Sequence, residues 1–197
     1  MNLLKNMKIG KRLGISFGII LLFMVVIVAL SIENMATIQE HMDKIVKLNN
    51  VRSAAANEMG DAIREVANKI RNTLLVKESS KREEQIREIA TERGKYDTAL
   101  KKVEEMTPST DTKGIEVIAT VKSSQDAARL LNNKVLDLAK SGKDAEAIDL
   151  MNREARPLTR AWITAVDGLI AYQGERNKFR YEAAVKAYDS ARTMMII

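Results

Sequence analysis

Residues 33–76 read ENMATIQEHMDKIVKLNNVRSAAANEMGDAIREVANKIRNTLLV. Met35, Ile38, Met42, Ile45 and Leu48, then Ala55, Met59, Ala62, Val66, Ile70 and Leu74, recur at steps of three or four, with one seven-residue gap. Such steps stack side chains on one face of an α-helix, and a stripe kept up over several heptads belongs to a long helix packed along its length. No proline interrupts it. One helix is therefore predicted to run to about Val76. At about 1.5 Å per residue this stretch would extend about 66 Å.

Upstream, the pattern changes from a stripe to a continuous apolar run. Residues 13–32, LGISFGIILLFMVVIVALSI, carry no charge over 20 positions. That is the length an α-helix needs to cross a bilayer core, about 20 residues. Lys5, Lys8, Lys11 and Arg12 precede it, and the first acidic residue is Glu33. Positive charge flanking a span marks the cytoplasmic side. The organisation predicted is a cytoplasmic N-terminus (1–12), a transmembrane helix (13–32) continuous with the first bundle helix, and a sensor domain (33–193) outside the membrane. A cleaved signal peptide is the rival. Its apolar core is usually about 7–15 residues and ends at a small-x-small site. Here the run is longer and Ala29-Leu30-Ser31 is a weak site, which favours an uncleaved anchor.

Downstream, three more helices follow. Lys77-Glu78-Ser79-Ser80 is a polar turn, and Ser79 or Ser80 with Glu83 has the form of a capping box. The second helix covers about 80–106, with Ile86, Ile89, Arg93, Tyr96, Leu100 and Val103 in its stripe. Pro108 breaks it. The third runs from about Asp111 to Lys140, with Ile118, Val121, Gln125, Ala128, Leu131, Val135 and Leu138 inward, and Gly142 as its C-cap. The fourth starts near Lys143 and runs to the end through Met151, Ala155, Leu158, Trp162, Leu169, Tyr172 and Arg176, with a kink expected at Pro157 unless the helix restarts there. Met194–Ile197 is apolar and is expected to begin a second span. Three short turns force antiparallel neighbours, so the fold class is all-α, an up-down-up-down four-helix bundle.

Composition narrows the function. The formal charge is +6, from 32 Lys or Arg and 26 Asp or Glu. Four of those cations precede the span with no acid, leaving 28 basic against 26 acidic residues in the remainder. A balanced surface is not a phosphate-binding one, so no nucleic-acid partner is expected. With no cysteine, disulfides, thiolate catalysis and Cys-ligated zinc are excluded. The single histidine, His41, cannot supply the paired Glu-x-x-His motifs of a di-iron bundle, and it is expected to be solvated or interfacial. No phosphate-binding glycine loop or nucleophile elbow occurs. The chain is expected to be no enzyme and to hold no cofactor and no metal.

Arginines are the candidates for chemistry. Counted from the helix turns, Arg64, Arg93, Arg129, Arg153 and Arg156 fall in one layer, about 15–20 Å from the tip. A guanidinium offers a planar two-donor fork to a carboxylate. Several in a partly desolvated groove would suit a small di- or tricarboxylate. Arg93 also stands in a stripe position, where an unpaired charge is costly. It is expected to bind ligand, to pair with Glu65 or Glu154, or to snorkel at the bundle edge.

The opening Met1-Asn-Leu-Leu-Lys-Asn-Met-Lys-Ile-Gly-Lys-Arg-Leu-Gly, with Phe17 and the apolar span, resembles the start of bacterial methyl-accepting chemotaxis receptors. Glu154-Ala155-Arg156-Pro157-Leu158, early in helix four, resembles their four-helix sensor domain. The resemblance implies an inner-membrane homodimer with a periplasmic sensor domain, coupled through a cytoplasmic part to a chemotaxis kinase and adaptor complex. It implies a ligand held by helices one and four, at positions matching Arg64, Asn68 and Arg71 and Arg156, Thr159 and Arg160. The chain is then the sensory half of such a receptor, with the HAMP linker and signalling hairpin beyond it. The input module of a sensor histidine kinase, or a membrane-tethered helical adaptor, are the other readings.

Overall fold

A computed structural model describes residues 8–196, apart from the side chains of His41 and residues 194–196. The expectations for His41, for Lys5 and for a second span at Met194–Ile197 concern side chains or residues outside those described. Helix α1 spans Ile9–Asp43 and passes through a π-helical stretch, Lys44–Asn49, into α2, Asn50–Leu75. Then come α3 (Ser79–Glu105) and α4 (Thr112–Lys140). The last predicted helix is α5 (Asp144–Leu150), a second π-helical stretch (Met151–Ala155) and α6 (Arg156–Ile196). The described residues contain no strand. The four predicted helices are all present, and the fold is an all-α four-helix bundle.

Two compact units are distinguished, residues 47–177 and residues 1–46 with 178–197. In the first, the apolar stripes meet as predicted. Met59, Ile63, Tyr96, Val103, Val121, Trp162 and Leu169 form one core cluster. Val66, Ile70, Ile89, Val135 and Ala147 form a second, nearer the α2–α3 turn. Burying each large side chain contributes about 1.5–3 kcal/mol before entropy is counted. Tyr96 and Trp162 meet edge to face with centroids 4.8 Å apart, and the Trp162 indole N–H donates to the Tyr96 hydroxyl at 2.8 Å.

The turns follow local chemistry, with one correction. Gly142 takes φ +71°, a left-handed conformation open to glycine without a Cβ penalty, and closes α4 as expected. Asp111 is the N-cap of α4, its carboxylate accepting from the Gly114 N–H at 3.1 Å. The capping box of Ser79 or Ser80 with Glu83 does not form. Glu78 is the N-cap of α3 and makes no side-chain cap bond. The Ser80 hydroxyl donates instead to the Glu78 carboxylate at 2.7 Å.

In the second unit α1 is exposed on every side from Leu13 to Leu30. The helix is long and apolar enough to cross a membrane, and its apolar window is not buried in protein, unlike the core helix of a soluble fold. The stripe predicted upstream of Ala55 is not a buried one throughout: Met35 is 71 % and Met42 45 % exposed. On α6 Ala184 and Ala191 are buried, whereas Phe179, Tyr181 and Tyr188 are exposed.

Candidate functional site

Pro157 shapes the site. Proline has no N–H, and its ring crowds the carbonyl four residues back. The helix widens just ahead of it. Over Met151–Ala155 it is π-helical, and the Arg156 N–H donates to the Met151 carbonyl, five residues back. Single wide turns of this kind are frequent at functional sites. The chain thus approaches Pro157 through a π turn, without a break between Met151 and α6.

Arg156, Thr159 and Arg160 follow at steps of three and four, on one flank of α6. Thr159 turns inward and is 8 % exposed. Its hydroxyl donates to the Ala155 carbonyl at 2.9 Å and accepts from Asn132 Nδ2 at 3.2 Å. That bond ties α6 to α4. From α2, Arg71 reaches the same place. Its Nε donates to the Ala67 carbonyl at 3.4 Å, and its Nη2 donates to the Asn68 side-chain oxygen.

Together these residues line a cleft of about 170 Å³ whose other walls are Ala67, Ile70, Asn132, Met151 and Ile163. Three guanidinium groups line it and no carboxylate does. Apolar walls with a few placed polar groups are the make-up of a small-molecule site. A polar floor of Asn132 and Thr159 adds hydrogen-bonding capacity for a ligand oxygen.

The structure gathers four of the seven candidate residues, Arg71, Arg156, Thr159 and Arg160, in this cleft. Asn68 stands behind it as the support of Arg71. Arg64 does not line it. Its Nη2 lies 2.6 Å from Asp167, an ion pair between α2 and α6. Arg93 lies elsewhere, in a groove between α3 and α4, and pairs with neither Glu65 nor Glu154. Its Nη1 donates to Asn133 at 2.8 Å.

The five-arginine layer is not one site. Arg129 gives two hydrogen bonds to Asp97, at 2.7 and 3.2 Å, and stacks over Tyr96 and Trp162 at 5.6 and 5.5 Å. Arg153 pairs with Asp149 at 2.7 Å. Equal distance from a turn fixes height along a helix. It does not fix direction around the axis, which changes by a full turn every 3.6 residues or so.

A second polar group escaped the sequence. Arg52 is fully buried. Its guanidinium lies 3.6 Å from Asp111 and donates to Asn49 at 2.8 Å. Arg176 reaches the same Asp111 carboxylate at 2.9 Å, and the Tyr172 hydroxyl donates to it as well. Burial pushes the Tyr172 phenol up, and the Asp111 bond adds to this while Arg176 opposes it. Gly114 sits so close beneath that a Cβ there would stand 2.7 Å from the carboxylate. The signal available in sequence was Arg176 itself, a charge in a stripe position.

An all-α four-helix bundle is the class that the fold defines. The chain belongs to the family described as the four helix bundle sensory module for signal transduction, whose profile matches residues 6–194. No characterised protein and no solved structure matches the chain.

Proposed function

We propose that this chain is the sensory part of a transmembrane chemoreceptor, and that it binds a small di- or tricarboxylate in the cleft of Arg71, Arg156, Thr159 and Arg160. One observation carries this: three arginines line a single cleft in which no carboxylate neutralises them. Each guanidinium presents a fork matched to a carboxylate. Arg156 and Arg160 form no ion pair among the described residues, and Arg71 is held by neutral acceptors. Their charge is thus left for a ligand. Arg64 and Asn68 serve from behind, through Asp167 and Arg71.

Residues 13–32 then span the inner membrane, with 1–12 cytoplasmic and 33–193 periplasmic. The chain works as a homodimer. Its output passes along α6 to a second span and on to a cytoplasmic kinase and adaptor complex for chemotaxis. A ligand moves such a system only by its differential affinity for two packings. The π turn beside the cleft is an element able to differ between them, because it meets the ligand residues at Arg156.

Thermal unfolding of the full chain in detergent, against a panel of citrate, succinate, malate and amino acids, tests the proposal. A di- or tricarboxylate should raise Tm, and Arg156→Ala together with Arg71→Ala should abolish the rise. No stabilising carboxylate, or equal stabilisation of the double variant, would refute it.

A further inference from the structure

The groove between α3 and α4 has a different charge balance from the cleft. It encloses about 510 Å³ and is lined by Arg93, Arg129 and Lys140 with Asp97 and Asp137. Three cations against two acids leave one positive charge. Its location is specific. Asp97 is committed to Arg129 by two hydrogen bonds and also accepts from Gln125 at 3.2 Å. Asp137 faces Lys140 at 3.9 Å. Arg93 has no carboxylate partner among the described residues.

Arg93 is also incomplete as a donor. Its Nη1 is taken by Asn133. Its Nε and Nη2 are both shut off from solvent with no acceptor. Those two nitrogens form one edge of the guanidinium, the edge whose parallel N–H bonds fit the two oxygens of a carboxylate. Among the described residues no other arginine has both nitrogens of that edge buried and unsatisfied. A buried donor without an acceptor is costly. Burial and the neighbouring Arg129 both push the Arg93 guanidinium below its usual value, with Asp97 opposing them.

We infer that this groove is a second ligand site, separate from the three-arginine cleft, and that it takes a small monocarboxylate with a short apolar tail. The carboxylate seats on the Nε–Nη2 edge of Arg93 once the side chain turns that covered edge into the groove. The tail lies against Ile86, Ile89 and Leu136, which wall the same groove. Net charge sets the selectivity. One uncompensated cation accepts one negative charge, and Asp97 and Asp137 repel a second. The cleft, with three arginines and no acid, has the opposite preference. Unlike the proposed function, the inference does not depend on a ligand in the cleft.

Equilibrium dialysis of labelled butyrate against the full chain in lipid nanodiscs, with empty nanodiscs as the blank, is the test. Saturable binding is expected, weakened at least about tenfold by Arg93→Gln, the loss that follows from removing a charge-assisted pair of hydrogen bonds. Arg156→Gln should leave it little changed, and excess citrate should not displace it. Arg93→Lys keeps the charge and the stem but not the fork. It should also weaken binding, and it serves as the second variant should Arg93→Gln alter the emission of Trp162. Absence of saturable binding would overturn the inference. So would unchanged affinity in Arg93→Lys, displacement by citrate, or loss in Arg156→Gln with retention in Arg93→Gln.

Discussion

Tyr96 shows how one side chain ties three helices of the core. Its hydroxyl accepts from Trp162 on α6, its ring lies beneath Arg129 of α4, and it is itself fully buried on α3. Burial raises its phenol to about 12 from an ordinary 10, with the Trp162 bond opposing the shift. The folded state therefore keeps the proton longer than the unfolded chain does. The resulting stability is complete below pH 10 or so and is lost as pH rises towards 12, a total of about 2–3 kcal/mol. Urea midpoints measured from pH 9 to 12 should fall more steeply for the wild type than for Tyr96→Phe. At neutral pH the same substitution leaves the Trp162 N–H without its acceptor and should cost about 1–3 kcal/mol. Asp111 carries a larger effect. Asp111→Asn removes the charge facing Arg52 and Arg176 and should lower stability by about 3–5 kcal/mol, read by the same denaturation.

Among the elements, the turn ahead of Pro157 has the clearest dual role. An interior proline costs about 3 kcal/mol relative to alanine, and the π turn accommodates it while setting where Arg156 emerges. Pro157→Ala should restore a continuous α-helix, raise Tm, and weaken carboxylate binding at the cleft. Calorimetry and titration on the same sample check both. A variant that gains stability and binds as before would detach the π turn from the site. Helix order and boundaries were legible in the sequence to within a few residues, because the stripes from Ala55 to Leu74 and from Ile118 to Val135 have the period of the faces they bury. The π turns were not. The one ahead of Pro157 depends on how a helix relieves a local conflict, which the proline announced without its resolution, and no residue type marks the one at Lys44–Asn49. The capping box at Ser80 failed for a similar reason. Its residues have the right spacing, but α3 starts at Ser79, so Ser80 is already inside the helix.

For the molecule as a whole, the cleft was half legible. Arg71, Arg156, Thr159 and Arg160 share it as the resemblance implied. Arg64, Arg129 and Arg153 are held by Asp167, Asp97 and Asp149. Which arginines are neutralised depends on the direction of each around its helix and on acids of neighbouring helices. Composition and height along the bundle contain neither. Two of the openings among the described residues differ in charge after that neutralisation, one with three arginines and one with a single uncompensated arginine. The membership of the chain among sensory modules is the ground on which the first opening is proposed as the input. Isothermal titration of citrate into the full chain in nanodiscs tests this most directly, with Arg71→Gln, Arg156→Gln and Arg64→Gln run in parallel. Saturable binding is predicted, weakened at least about tenfold by Arg71→Gln and by Arg156→Gln, and less by Arg64→Gln, since each cleft arginine supplies a charge-assisted contact. Absence of binding to citrate and its smaller relatives, or equal affinity in the Arg71 and Arg156 variants, would contradict it.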